Sequence, residues 1–190
     1  MTTRRLTILG VVAVGTLALA GFTGNWGLAP IDGLDASDPR VTLKHVEAEV
    51  DRRWGVKPIK TGELEARLTA TDAVVFDVRE ADEFALGHLP GAIRVDPEIS
   101  AEEFYRAYGD RLTGKPVVFY CSVGVRSSQL AKRLASDPSP HGPAAVYNLR
   151  GGAFRWVVEG RTLVAGSAPG QLHPYDGDWK ELFARTLANE

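Results

Sequence analysis

The sequence predicts an α/β domain in which a parallel sheet carries helices on both faces. Three observations predict it. Short apolar runs at residues 73–78, 116–120 and 146–149 have strand length and lack the polar alternation of a half-solvated strand. Segments with helical spacing of apolar residues lie between them. Strands that alternate with helices join in parallel, because the chain must cross back over the sheet before each new strand. The 190 residues, 44% hydrophobic and 24% charged, suit one globular domain with extensions.

The elements follow in order. Arg4 and Arg5 precede an apolar stretch at 6–20, and Ala18-Leu19-Ala20 puts small residues where a signal peptidase reads. Residues 1–20 are expected to be a secretory signal peptide or, if uncleaved, a membrane anchor through residues 6–22. The expected location is exported, in the periplasm or another extracytoplasmic space, or anchored in the membrane. Residues 21–40 are rich in Gly, Pro and Asp and read as a linker. Residues 41–58 form an N-terminal helical extension, since Val41, Leu43, Val46, Val50 and Trp54 recur on one helical face at the domain edge.

The main domain runs from 59 to 160. Ile59 begins an extended piece, and Thr61 is a candidate N-cap for a helix over 62–68. The run at 73–78 is a strand, 80–86 a helical turn or two, and 87–92 a loop. A helix over 101–108 offers Phe104, Tyr105 and Tyr108 for packing. The strand at 116–120 runs directly into Cys121. Residues 127–135 have helical spacing, 146–149 is a strand, and a helix after Gly151-Gly152 carries Trp156. Residues 161–190 are a C-terminal extension ending in a helix over 179–187.

The chain has one cysteine, which excludes an internal disulfide and a Cys-x-x-Cys redox pair. Twenty-two basic residues against 24 acidic ones give no basic stripe of the kind that binds nucleic acid. His45, His88, His141 and His173 are scattered and suggest no metal cluster. Attention therefore falls on Cys121. It stands at the carboxyl end of a buried strand, where open parallel sheets bind ligands. The loop Ser122-Val123-Gly124-Val125 must then curl before the next helix, and a curled loop turns successive N–H groups inward as an anion nest. Gly124 allows the turn, the helix adds its positive end, and Arg126 adds a charge. These neighbours favour a thiolate nucleophile and hold an oxyanionic substrate against it. Val123 and Val125 are expected at the loop rim, disfavouring a highly charged acceptor. Arg126 either binds substrate or holds the loop through carbonyl contacts. Ser127 either bonds the sulfur or caps the helix. Asp77, Arg79 and His88 are read as structural.

The segment from Cys121 to Ser127 resembles the active-site loop of rhodanese-family sulfurtransferases. Phe76-Asp77-Val78-Arg79, Glu83-Phe84 and the run from Gly87 to Ile93 are similar to that family's first signature. Leu149-Arg150-Gly151-Gly152 and Trp156 resemble its closing element. The resemblance implies that Cys121 takes the outer sulfur of a small sulfur-containing anion such as thiosulfate and holds it as a persulfide. An acceptor, cyanide or a thiol, then removes it, with no metal or organic cofactor. Cys121 and Arg126 are the implied catalytic residues; Ser122, Val123, Gly124, Val125 and Ser127 are the implied substrate-binding ones. The donor or acceptor is a small molecule or a protein. Two other readings remain. One is a non-catalytic binding module or persulfide carrier. The other is a phosphatase of the Cdc25 kind, disfavoured because only four residues separate Cys121 from Arg126.

Overall fold

The computed structural model describes residues 34–136, 142–174 and 177–189. The expected signal or anchor at 1–20, and most of the linker at 21–40, lie outside the described residues. Among the described residues no helix is long and apolar enough to cross a membrane.

Five strands, β1 (Pro58–Ile59), β2 (Val74–Asp77), β3 (Ile93–Arg94), β4 (Pro116–Tyr120) and β5 (Ala145–Leu149), form one parallel sheet in the order β1-β5-β4-β2-β3. Successive side chains point to opposite faces, and both faces are apolar. Phe76, Val117 and Phe119 meet Phe104 and Leu112 of α4 (Ala101–Leu112) and Leu130 and Leu134 of α5 (Val125–Ser136). Phe76 is the centre of an aromatic cluster, 5.1 Å from Phe104 and 4.9 Å from Tyr108 between ring centroids. On the other face, Val75, Val118 and Tyr120 pack with Leu64 of α2 (Thr61–Ala70) and with Ala153 and Trp156 of α6 (Gly152–Val158). The sheet is thus covered on both sides, and its central strand β4 leads directly into Cys121.

The extensions form a third cluster. Helix α1 (Leu43–Trp54) contributes Leu43, Val46 and Val50, and α7 (Gly177–Asn189) contributes Leu182. Both pack against Val123, Val125 and Phe154. The remaining elements are α3 (Ala81–Leu86) and a hairpin of β6 (Leu163–Ala165) with β7 (Ala168–Gly170). The hairpin buttresses the segment after α3: His88 and Val164 exchange backbone hydrogen bonds at 3.0 and 2.8 Å. Gly87 and Gly170 lie so close that a Cβ on Gly170 would stand 2.7 Å from the Gly87 Cα.

Several boundaries differ from the sequence reading. Thr61 is the first residue of α2 rather than its cap, and its hydroxyl donates to the Glu159 carboxylate. Helix α4 continues past Tyr108 to Leu112, whose side chain is buried. Strand β3 and the hairpin carry no sequence expectation, being two or three residues per strand. Helix α5 begins at Val125, two residues before Ser127, so Ser127 lies inside the helix and does not cap it.

Candidate active site

Strand β4 delivers Cys121 into a loop closed by Gly124, whose φ of 102° is a conformation that glycine adopts without strain. The Gly124 amide donates to Cys121 Sγ at 3.2 Å, and the Ser127 hydroxyl lies 3.6 Å from the same sulfur. Among the described residues, the amides of Ser122, Val123 and Val125 meet no protein acceptor. Such donors in a tight loop at a helix start suit an anion.

The loop carbonyls are held from behind. The amides of Ala153 and Phe154, at the start of α6, donate to the carbonyls of Cys121 at 2.9 Å and Ser122 at 3.0 Å. This explains the glycine pair before α6. A Cβ on Gly152 would stand 2.6 Å from the Ser122 carbonyl oxygen and closer still to that of Cys121. A Cβ on Gly151 would stand 2.5 Å from the Glu47 carboxylate, which pairs with Arg155 at 2.7 Å.

Side chains secure the front. Glu83 on α3 receives two hydrogen bonds from Arg126, Nη1 to Oε2 at 2.8 Å and Nη2 to Oε1 at 3.0 Å. Ser122 donates to Glu83 Oε1 at 3.1 Å and accepts from Arg126 Nη2 at 3.1 Å. Burial pushes the Glu83 carboxyl up, but the Arg126 hydrogen bonds and charge outweigh it and hold the group below the usual carboxylate range. Asn148 on β5 accepts from Ser127 Oγ at 2.7 Å and donates from Nδ2 to the Gly124 carbonyl at 3.2 Å.

Beneath the loop, Asp77 and Arg79 form a fully buried pair at 2.6 Å, and Arg79 also donates to the Gly87 carbonyl. The Tyr120 hydroxyl donates to Asp77 at 2.5 Å and accepts from the Leu89 amide at 3.0 Å. Burial first, and then the Asp77 charge, push the Tyr120 phenol well above its ordinary range, so it stays protonated. His88 stacks on Phe84 with ring centroids 3.8 Å apart.

Several expected roles change. Val123 and Val125 do not stand at a rim: both are fully buried under α1 and α7, because those helices need apolar partners. The side chains of Ser122 and Arg126 face Glu83, so Arg126 holds the loop through a carboxylate and a serine. Cys121 itself is fully buried. The sequence pattern does not single out Glu83, Asn148 or Glu47 as site residues. The pairing of Glu83 with Arg126 spans 43 positions and has no local signal.

Fold and site together define a single-cysteine α/β protein whose buried thiol follows a parallel strand and meets the Gly124 amide of a tight loop. The rhodanese-like domain family matches residues 60–159, more than half of the chain, and the chain belongs to it. The chain is 30% identical over 150 residues to the tRNA uridine(34) hydroxylase of Chlamydia muridarum, covering 73% of this chain and 43% of the relative. It thus spans less than half the length of that relative. The uncharacterized protein YqhL of Bacillus subtilis is 35% identical over 94 residues, 50% of this chain and 68% of YqhL. The crystal structure of a thiosulfate sulfurtransferase from Pseudomonas aeruginosa matches with a TM-score of 0.51 at 23% identity, over 76% of this chain and 26% of that one. That likeness is one of fold.

Proposed function

We propose that this chain transfers sulfane sulfur through a persulfide on Cys121. The observation that carries the reading is the Gly124 amide at 3.2 Å from Sγ, in a loop whose Ser122, Val123 and Val125 amides meet no acceptor among the described residues. The Cys121 thiolate attacks the outer sulfur of thiosulfate or of a persulfide donor. The bond between that sulfur and the rest of the donor breaks, and its electron pair leaves with sulfite or with the donor thiolate. A cyanide or thiolate acceptor then attacks the outer sulfur, and the electron pair returns to Cys121. The two half-reactions are covalent, ping-pong catalysis. The loop amides stabilise the anionic sulfur as an oxyanion hole stabilises charge.

Intact-mass measurement after exposure to thiosulfate tests this directly. The wild-type chain gains a sulfur atom that cyanide removes, and Cys121→Ala gains none. Equal gain by both proteins, or by neither with thiosulfate and with a protein persulfide, rules the reading out. Fast loading from a protein persulfide with slow loading from thiosulfate assigns the role of a carrier.

The match to the hydroxylase extends over 150 residues, beyond the 60–159 domain, and this favours a second reading, hydroxylation of a tRNA uridine with dioxygen as the added oxidant. Assay of the purified chain on tRNA separates it from sulfur transfer. Export is proposed on Arg4, Arg5 and the apolar run that follows them; a soluble extracytoplasmic product beginning near Gly21 supports cleavage, and full-length chain in the membrane fraction supports an anchor.

A further inference from the structure

We propose that Asn148 is a positioning residue for Cys121, aligning through one carboxamide the two donors that meet the sulfur. The proposal rests on the sulfur-transfer reading for its purpose, but on geometry for its argument. Asn148 is 2% exposed and sits on β5, one strand from Cys121. Its own amide donates to the Lys57 carbonyl at 3.0 Å, so its backbone is fixed between β1 and β4. A buried side chain on a paired strand holds other groups more accurately than a loop residue does.

The orientation of the carboxamide follows from its partners. The Gly124 carbonyl can only accept, so the NH2 of Asn148 faces it, and Oδ1 must face Ser127. The Gly124 carbonyl also receives the Ser128 amide at 3.1 Å. Two donors therefore pin the residue whose own N–H points at Sγ. Close packing adds to this, since a Cβ on Gly124 would stand 2.9 Å from Asn148 Nδ2.

The second arm acts on Ser127. A serine inside a helix tends to turn its hydroxyl back to the carbonyl four residues earlier. Asn148 Oδ1, at 2.7 Å, offers a competing acceptor and holds Oγ in the direction that leaves it 3.6 Å from the sulfur. The hydroxyl has one hydrogen for two acceptors. It lies toward Oδ1 while Cys121 carries its own proton. It turns to the sulfur when Cys121 becomes a thiolate or a persulfide anion. That exchange gives up the bond to Oδ1, so what Asn148 supplies is the placement of Oγ beside the sulfur before the anion forms.

The test uses Asn148→Ala, Asn148→Leu, Ser127→Ala and the double alanine variant in the full chain. Asn148→Leu has nearly the same volume and no charge but can neither donate to the Gly124 carbonyl nor accept from Ser127, so it remains informative if the alanine variant fails to fold. Two quantities are read: the ultraviolet thiolate absorbance across a pH titration, with Cys121→Ser as blank, and the rate of sulfur loading followed by intact mass. Both Asn148 variants are expected to develop the thiolate signal at higher pH and to load about tenfold more slowly, the loss of about one hydrogen bond to a charged group. Removing Asn148 is expected to cost less in the Ser127→Ala background than in wild type, because one of its two targets is already gone. A thiolate signal at the wild-type pH in both Asn148 variants overturns the proposal. So does an effect of Asn148→Ala that is the same with and without Ser127. The thiolate signal needs no sulfur donor, so it tests Asn148 even if wild type accepts no sulfur, a result that would count against the proposed function alone.

Discussion

Glu83→Gln removes the charge of a carboxylate that meets Arg126 through two hydrogen bonds of 2.8 and 3.0 Å. The two side chains, Arg126 and Glu83, are 6% and 3% exposed, so solvent screens the pair little. The variant leaves a guanidinium buried against a neutral amide. Breaking one side of such a pair costs about 3–5 kcal/mol, and the retained amide oxygen places this case near 3 kcal/mol. With a urea dependence of about 2 kcal/mol per molar, the unfolding midpoint should fall by about 1–2 M. Glu83→Met with Arg126→Met should cost less than Glu83→Gln alone, because no charge is then stranded. The pH dependence has a definite sign. The Glu83 carboxyl is held below its unfolded value, so the pair's contribution is complete above the ordinary carboxylate range near about pH 4.3. It is lost as pH falls through the depressed value. Wild type and Glu83→Gln should therefore differ at neutral pH and converge in acid. Parallel stability curves from pH 7 down to acid, or a double variant as unstable as the single one, would refute the reasoning. The Ser122 hydroxyl, bonded to both partners, should lose its anchor as well, and sulfur loading should slow.

Gly152→Ala should cost about 2 kcal/mol or more in urea unfolding, since φ is 56° and the new Cβ strikes two loop carbonyls. Gly91→Ala, with φ of 72° but nothing within 4 Å, should cost about 1–2 kcal/mol; equal losses at both glycines would mean that packing on the Cys121 loop is unimportant. Leu182→Ala should cost about 2–5 kcal/mol by leaving a cavity beside Val123 and Val125, and it should speed alkylation of Cys121 by iodoacetamide. Unchanged alkylation would show that α7 does not control access. Tyr120→Phe leaves the Leu89 amide without its phenol partner and takes one donor from Asp77, for a loss of about 1–3 kcal/mol by thermal melting; an unchanged melting temperature would remove the phenol from the framework.

The sheet was legible because its central strands are apolar on both faces. Phe76 with Phe119, and Val75 with Val118, announce a buried strand whichever side is considered. Cys121 was legible because strand, glycine loop and helix are contiguous in sequence. What was hidden is what distance in the chain hides. Asn148 reads as one polar residue in an apolar run, and nothing local says that it reaches Ser127 and Gly124. Glu83 falls in the run that resembles the family's first signature, but nothing local gives its carboxylate a partner until Arg126 is placed beside it. Val123 and Val125 were misplaced for a related reason. Apolar residues in an active-site loop suggest a lining for substrate, and only the packing of α1 and α7 reveals that they complete a core.

The burial of Cys121 bears on rate. Cys121 has no exposed surface, so reagents as unlike as an alkylator and thiosulfate must wait for the same local separation of packed elements. At high concentration their rates should level off at one shared ceiling, set by the protein's own breathing rather than by the chemistry of the attacking partner.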